Sequence, residues 1–170
     1  MVHPSIGKYK YADTNNPELI LWTTEEGLNK AKKRLEQIAT VEMIETAKEI
    51  EIARSHGDLR ENAEFKSAIE KRNRLQGELK LLSEQLKQVR TLTKEDIACS
   101  NVNPGTIVHC QTNEGKKVSY TLLGPWDADP EKHILSCQSK LAKNMMGLKV
   151  GNKFQFQGEE FTITAIESYL

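Results

Sequence analysis

The sequence lacks most of the features that announce an enzyme, a secreted protein or a membrane protein. Its three cysteines, Cys99, Cys110 and Cys137, are widely spaced, odd in number and include no C-x-x-C pair. That excludes a disulfide framework and a cysteine zinc site as organising devices, and leaves small apolar thiols in a reducing compartment. No segment is apolar enough to span a bilayer, and the first residues lack the basic-then-apolar order of a signal peptide. A cytoplasmic protein with no membrane partner is the expectation. Lysine plus arginine number 24 and aspartate plus glutamate 24, so no global field draws the protein onto nucleic acid, and any such attraction has to be local. Aromatic residues are scarce, at 6%, which points to helix-rich structure carrying many solvated charges. There is no phosphate-cradling glycine loop and no nucleophile elbow. His3, His56, His109 and His133 have no neighbours at metal-ligand spacing. A self-sufficient active site is not expected.

Proline is missing altogether from Thr24 to Arg90, a stretch dense in Glu, Lys, Arg, Leu and Ala. These are strong helix formers. Thr23 or Thr24 serves as N-cap, with Glu25 and Glu26 in the first turn. One break interrupts the run, at Ser55-His56-Gly57-Asp58, where Gly57 enters left-handed backbone freely. Two helices of roughly thirty residues joined by so tight a connection must run antiparallel. Leu75, Leu79, Leu82, Leu86 and Val89 recur at coiled-coil spacing, as do Leu28, Ala31, Leu35 and Ile38, so the two stripes meet across one seam. Each arm is on the order of 45 Å long. Continuing the register sets Glu42 opposite Arg72. Either a local drift of register turns both charges outward, or they form an interhelical ion pair that fixes register at some cost in stability.

The pattern changes on both sides of this hairpin. Residues 1–22 show no periodicity and read as an irregular lead-in, although Ile20, Leu21 and Trp22 are apolar enough to pack on something. Residues 91–105 read as a linker ending in the turn signal Asn103-Pro104-Gly105. Beyond it come short β-prone runs at 106–111, 117–123, 133–137, 153–156 and 160–167, the last alternating through Phe161, Ile163 and Ala165. Ser139 to Met146 reads as a short helix stopped by Gly147. The expected class is α+β: a finger at 23–90 with its tip near 55–60, and a globular domain at 106–170 made of a small sheet with one helix packed on it.

One constellation suggests chemistry. Asp58 and Glu61 are three apart at the expected start of the second helix, which places both carboxylates on one side, roughly 5–6 Å apart. Such a pair suits a hard cation such as Mg²⁺. The same Asp-x-x-Glu is also an aspartate version of a capping box, and acids are favoured in a first turn by the helix dipole. Spacing alone leaves both readings open.

The stretch Ala53-Arg54-Ser55-His56-Gly57-Asp58-Leu59-Arg60-Glu61-Asn62-Ala63-Glu64-Phe65 closely resembles the tip signature of the Gre (GreA/GreB-type) bacterial transcript cleavage factors. Thr24 to Gly27, Ser136 to Lys143 and the ending Ile166-Glu167-Ser168-Tyr169-Leu170 are similar to other motifs of that family, so the resemblance runs from about residue 23 to the end. It implies a coiled-coil finger followed by an FKBP-like domain. It implies a monomeric accessory factor that binds RNA polymerase at the secondary channel and inserts the finger. There it stimulates cleavage of the extruded 3′ end of backtracked nascent RNA. On this resemblance Asp58 and Glu61 are the catalytic acids and share Mg²⁺ with the polymerase, no cofactor being stably bound by the factor alone. Arg54, Arg60, Asn62 and Phe65 then support the tip or touch RNA, and Lys71, Arg72 and Arg74 offer a basic track. The chain departs from the family pattern at Phe65, where tyrosine is usual, at Lys140, where proline is usual, and near Ile44, where many members carry proline. The competing readings are a non-cleaving regulator in the same channel and a coiled-coil adaptor.

Overall fold

A computed structural model describes residues 20–58 and 62–170. The chain groups into two compact units, one of them Asn29–Lys87 and the other built from the residues on either side of it.

The proline-free stretch is mostly helical among its described residues, as its composition favours. Helix α1 (Glu25–Gln37) runs into a π turn (Ile38–Glu42) and then α2 (Met43–Ser55), and α3 (Ala63–Gln88) forms the returning arm. The arms are antiparallel, since Arg34 bonds Glu78, Glu49 bonds Lys71, and Asn62 reaches back to Ala53. The buried stripe of the outgoing arm is Ala31, Ile38, Thr46, Ile50 and Ala53, facing Ala68, Leu75 and Leu82. The step from Ile38 to Thr46 is one residue longer than a heptad. A π turn has i→i+5 hydrogen bonds and accommodates such an extra residue without breaking the helix. Thr46 is wholly buried, and its hydroxyl donates to the Glu42 carbonyl at 2.7 Å.

That inserted residue decides the register question. Glu42 does not meet Arg72. Its carboxylate accepts from Arg34 on the same arm, and Arg34 also grips Glu78 across the seam with two bonds, of 2.7 and 3.0 Å. The expected interhelical ion pair therefore exists, but between Arg34 and Glu78. Hydrogen bonding by Glu78 holds the Arg34 guanidinium above its usual range, and hydrogen bonding by Arg34 draws the Glu78 carboxyl below its own. Arg72 is left at the seam with its Nε buried and unbonded.

In the other unit β1 (Leu21–Thr23) pairs in parallel with β2 (Val89–Thr91), immediately before and after the helical hairpin in sequence. The remaining strands are β3 (Thr106–Thr112), β4 (Lys117–Leu123), β5 (Ile134–Ser136), β6 (Lys153–Phe156) and β7 (Glu159–Ser168), in the order β5-β4-β3-β7-β6. All neighbours are antiparallel except β4 and β5. Helix α4 (Lys140–Met145) buries Leu141, Ala142 and Met145 in the same core as Val108, Cys110, Leu122 and Ile163. A five-stranded sheet carrying one helix fits the FKBP-like expectation, and the α+β class holds.

The expectation that Ile20, Leu21 and Trp22 pack on something holds, and the linker expectation needs correcting. Ile20 and Trp22 belong to this core, and Leu21 is buried in β1. Residues 91–105 are not a free connector. Leu92, Ile97 and Val102 are core residues, and Thr93 with Asp96 forms a capping box on a short 3₁₀ turn. A three-residue strand is too short to show a period, so its burial could not be read locally. Among the described residues no helix is long and apolar enough to cross a membrane.

Candidate functional site

The hairpin tip is built by the ends of two helices. Helix α2 stops at Ser55, where the His56 amide turns back to donate to the Ala53 carbonyl at 3.2 Å. Gly57 has φ +118, a left-handed value that a side chain resists, which makes it the residue able to reverse the chain here. Asp58 follows, exposed and outside any helix. Arg60 and Glu61 lie outside the described residues, so the distance between the two expected acids is not assigned.

Helix α3 begins only at Ala63, and its cap is Asn62. The Asn62 Oδ1 accepts from the Phe65 amide at 3.0 Å, the usual bond from an N-cap to the third helical residue. The Asn62 Nδ2 donates to the Ala53 carbonyl at 2.6 Å, at the end of the opposite arm. The N-cap of α3 is therefore Asn62 and not Asp58. Sequence reasoning overlooked Asn62 as a cap, although asparagine ahead of Ala-Glu-Phe is itself a good N-cap signal.

Around Asp58 the described side chains are tied to one another. His56 Nδ1 lies 3.1 Å from Glu64 Oε2. Arg54 sits over the Phe65 ring, 5.9 Å from its centroid, at the outer reach of a cation–π contact. His56, Asp58, Asn62, Ala63 and Glu64 line an open hollow of about 390 Å³. The three expected basic residues are not equivalent. Lys71 bonds both oxygens of Glu49, at 2.9 and 3.3 Å, the Arg72 Nε is buried, and Arg74 is exposed. No group of three or more potential metal ligands occurs among the described residues.

A second cluster joins the start of α1 to a distant loop. Thr24 is the N-cap, its hydroxyl accepting from the Gly27 amide at 3.0 Å. Asp127 completes the cap from outside the helix. Its carboxylate accepts from the hydroxyls of Thr23 and Thr24 and from the amides of Thr24 and Gly124. In an ordinary capping box a glutamate at the position of Gly27 would reach back to that Thr24 amide. Glycine is needed because a Cβ there would stand 2.8 Å from the Asp127 Cγ and closer still to Oδ1. The Thr24-to-Gly27 motif thus makes room for an aspartate a hundred residues away. In the Ser136–Lys143 motif, Cys137 and Ala142 are buried, Ser139 caps α4, and Gln138, Lys140 and Lys143 are exposed.

Two family models match the chain: the N-terminal region of transcription elongation factors GreA and GreB over residues 21–90, and their C-terminal region over residues 97–168. The chain belongs to this family. The transcription elongation factor GreA of Chlamydia pneumoniae is 46% identical over 168 residues, 99% of this chain but 23% of that protein. That of Chlamydia trachomatis is 44% identical over the same shares. The chain thus spans about a quarter of the length of these two relatives. The GreA of Treponema pallidum is 34% identical over 137 residues, 80% of this chain and 85% of its own. Among solved structures, GreA factor homolog 1 of Thermus thermophilus aligns over 88% of this chain and 99% of its own, at 18% identity and a TM-score of 0.42. The assignment rests on the family models and the sequence relatives. The tip hollow and the Asp127 cap are therefore features of a Gre-family finger and of the base from which its first helix starts.

Proposed function

We propose that this protein acts on RNA polymerase as a transcript cleavage factor, entering the secondary channel with its helical hairpin and stimulating hydrolysis of backtracked RNA near its 3′ end. The observation that carries this reading is the position of the Gre signature. It falls on the turn of the hairpin, with Asp58 exposed directly after the left-handed Gly57.

The protein is an accessory factor and lends residues to an active site that the polymerase supplies. Asp58, with Glu61, would share Mg²⁺ with polymerase carboxylates, which fits the preference of that cation for hard oxygen donors. Bound there, the cation supplies charge stabilisation and water activation for hydrolysis of a phosphodiester. This chain's own part is to present the acid. Asn62 and Gly57 shape the turn, His56 and Glu64 brace its two sides, and Arg54 lies over the Phe65 ring where the two arms meet it. Phe65 lacks the tyrosine hydroxyl usual at its position, and its share of the tip is met by its backbone amide and its ring. Arg74, exposed on α3, is the most available of the basic residues to meet an RNA phosphate without sequence preference.

The test is a defined backtracked elongation complex, incubated with and without the protein. Release of 3′ RNA fragments at a rate that rises with protein concentration is expected. Binding to polymerase without fragment release would instead assign the non-cleaving role, and failure to bind would assign the adaptor role.

A further inference from the structure

We infer that Asn62 is the positioning residue of the tip: its side-chain amide ties the end of α2 to the start of α3 and so fixes where the connection between them presents Asp58. This inference rests on the cleavage reading above. A primary amide is the smallest side-chain group that offers an acceptor and a donor on fixed, divergent directions. Here the acceptor meets the Phe65 amide at 3.0 Å and the donor meets the Ala53 carbonyl at 2.6 Å. Only one orientation of the amide satisfies both. The Phe65 amide is an early N–H of α3, which a helix start leaves unbonded, and the Ala53 carbonyl is a late C=O of α2 that takes this bond beside the one from the His56 amide. Ala53 is buried and Asn62 half-buried, so the tie is shielded from competing water. Asp58 lies between the tied points, as does His56, whose ring meets Glu64 at 3.1 Å.

Capping alone does not require asparagine, because aspartate and serine cap about as well. Neither can do both tasks. Aspartate sets a second oxygen against the Ala53 carbonyl, and serine is too short to reach both partners. Asn62→Asp and Asn62→Ser therefore keep the cap and cut the bridge.

The experiment measures both variants in full-length protein with a backtracked polymerase complex, Asp58→Asn serving as the reference for a lost acid. Both Asn62 variants should unfold at the parental midpoint and reach half-saturation at the parental concentration, while the saturating cleavage rate drops at least tenfold. Hydrogen exchange of the free proteins supplies a readout that needs no polymerase. The His56 amide should exchange at least fivefold faster and the Phe65 amide at its parental rate. Cleavage within twofold of parent by either variant, with Asp58→Asn inactive, would overturn the positioning role and leave the cleavage reading standing. Parental cleavage by Asp58→Asn would overturn that reading instead, and an unchanged His56 exchange rate would overturn the tie itself.

Discussion

Replacing Gly27 by alanine sets local propensity against tertiary structure with opposite signs. Within a helix, Gly→Ala is worth about 0.5–1 kcal/mol of added stability, because alanine loses less backbone entropy on folding. At Gly27 the new methyl would stand 2.5 Å from the Thr23 hydroxyl and 2.8 Å from the Asp127 Cγ, so the carboxylate has to leave. It then loses its bonds to the Thr23 hydroxyl at 2.9 Å, the Gly124 amide at 3.0 Å, the Thr24 amide at 3.2 Å and the Thr24 hydroxyl. Hydrogen bonds to a charged group contribute about 1.5–3 kcal/mol each, and water replaces part of that at a half-buried site. Two bonds lost outright, less the propensity gain, leave a net destabilisation of about 2–3 kcal/mol. In a chain of this size that lowers the unfolding midpoint by roughly 5–10 °C. Tryptophan fluorescence suits the measurement, because Trp22 lies in the core beside Thr23 and reports this unit. In an Asp127→Ala background the same Gly27→Ala change should cost much less, since only the Thr23 hydroxyl, 2.5 Å from the new methyl, still has to turn aside. A Gly27→Ala protein as stable as the parent, or more so, would refute the trans-capping role of Asp127.

A double-mutant cycle on Arg34 and Glu78 should give a coupling of about 0.5–1 kcal/mol, because both side chains are partly exposed, and added salt should shrink it. The Glu78 carboxyl is held below its usual range, so its contribution is present above the ordinary glutamate range and lost as pH falls through its lowered value. A coupling that persisted in strong acid would contradict the pairing. Cysteine labelling at about pH 8 should modify one thiol in the folded protein and all three in denaturant. Cys99 is exposed, Cys137 is buried, and burial pushes the Cys110 thiol up to about 11. Rapid labelling of a second thiol in the folded state would show that the core is not closed around them.

Much of the fold was legible because its signals were local. The 4-3 apolar stripes, the one glycine at the turn, and the short runs bounded by Asn103-Pro104-Gly105 and Gly147 each mark an element within a few residues of itself. What escaped depended on distant partners. Strand β1 has three residues and pairs with a strand on the far side of the hairpin. The π turn is invisible to propensity, which encodes whether a residue is helical but not whether its hydrogen bond skips four residues or five. That one skip moved the seam ion pair from Glu42 and Arg72 to Arg34 and Glu78. Asp127 gave no sign, because Thr23 and Thr24, which it caps, lie about a hundred residues away in sequence. The tip acids were ambiguous from spacing alone, and their chemical reading came from resemblance to a family. Asn62 was the nearest miss, a capping residue overlooked because Asp58, another, came first.

The most direct test of the account is transcript cleavage by Asp58→Asn in a defined backtracked polymerase complex. Since asparagine accepts a capping hydrogen bond about as well as aspartate, the substitution should leave stability within a few tenths of a kcal/mol. The variant should fold, bind polymerase and compete with the parent, yet stimulate cleavage poorly. Raising Mg²⁺ should restore part of the rate, as a weakened shared site fills by mass action. Cleavage at the parental rate by a folded Asp58→Asn protein would contradict the assignment of this acid, and with it the proposed role of the tip.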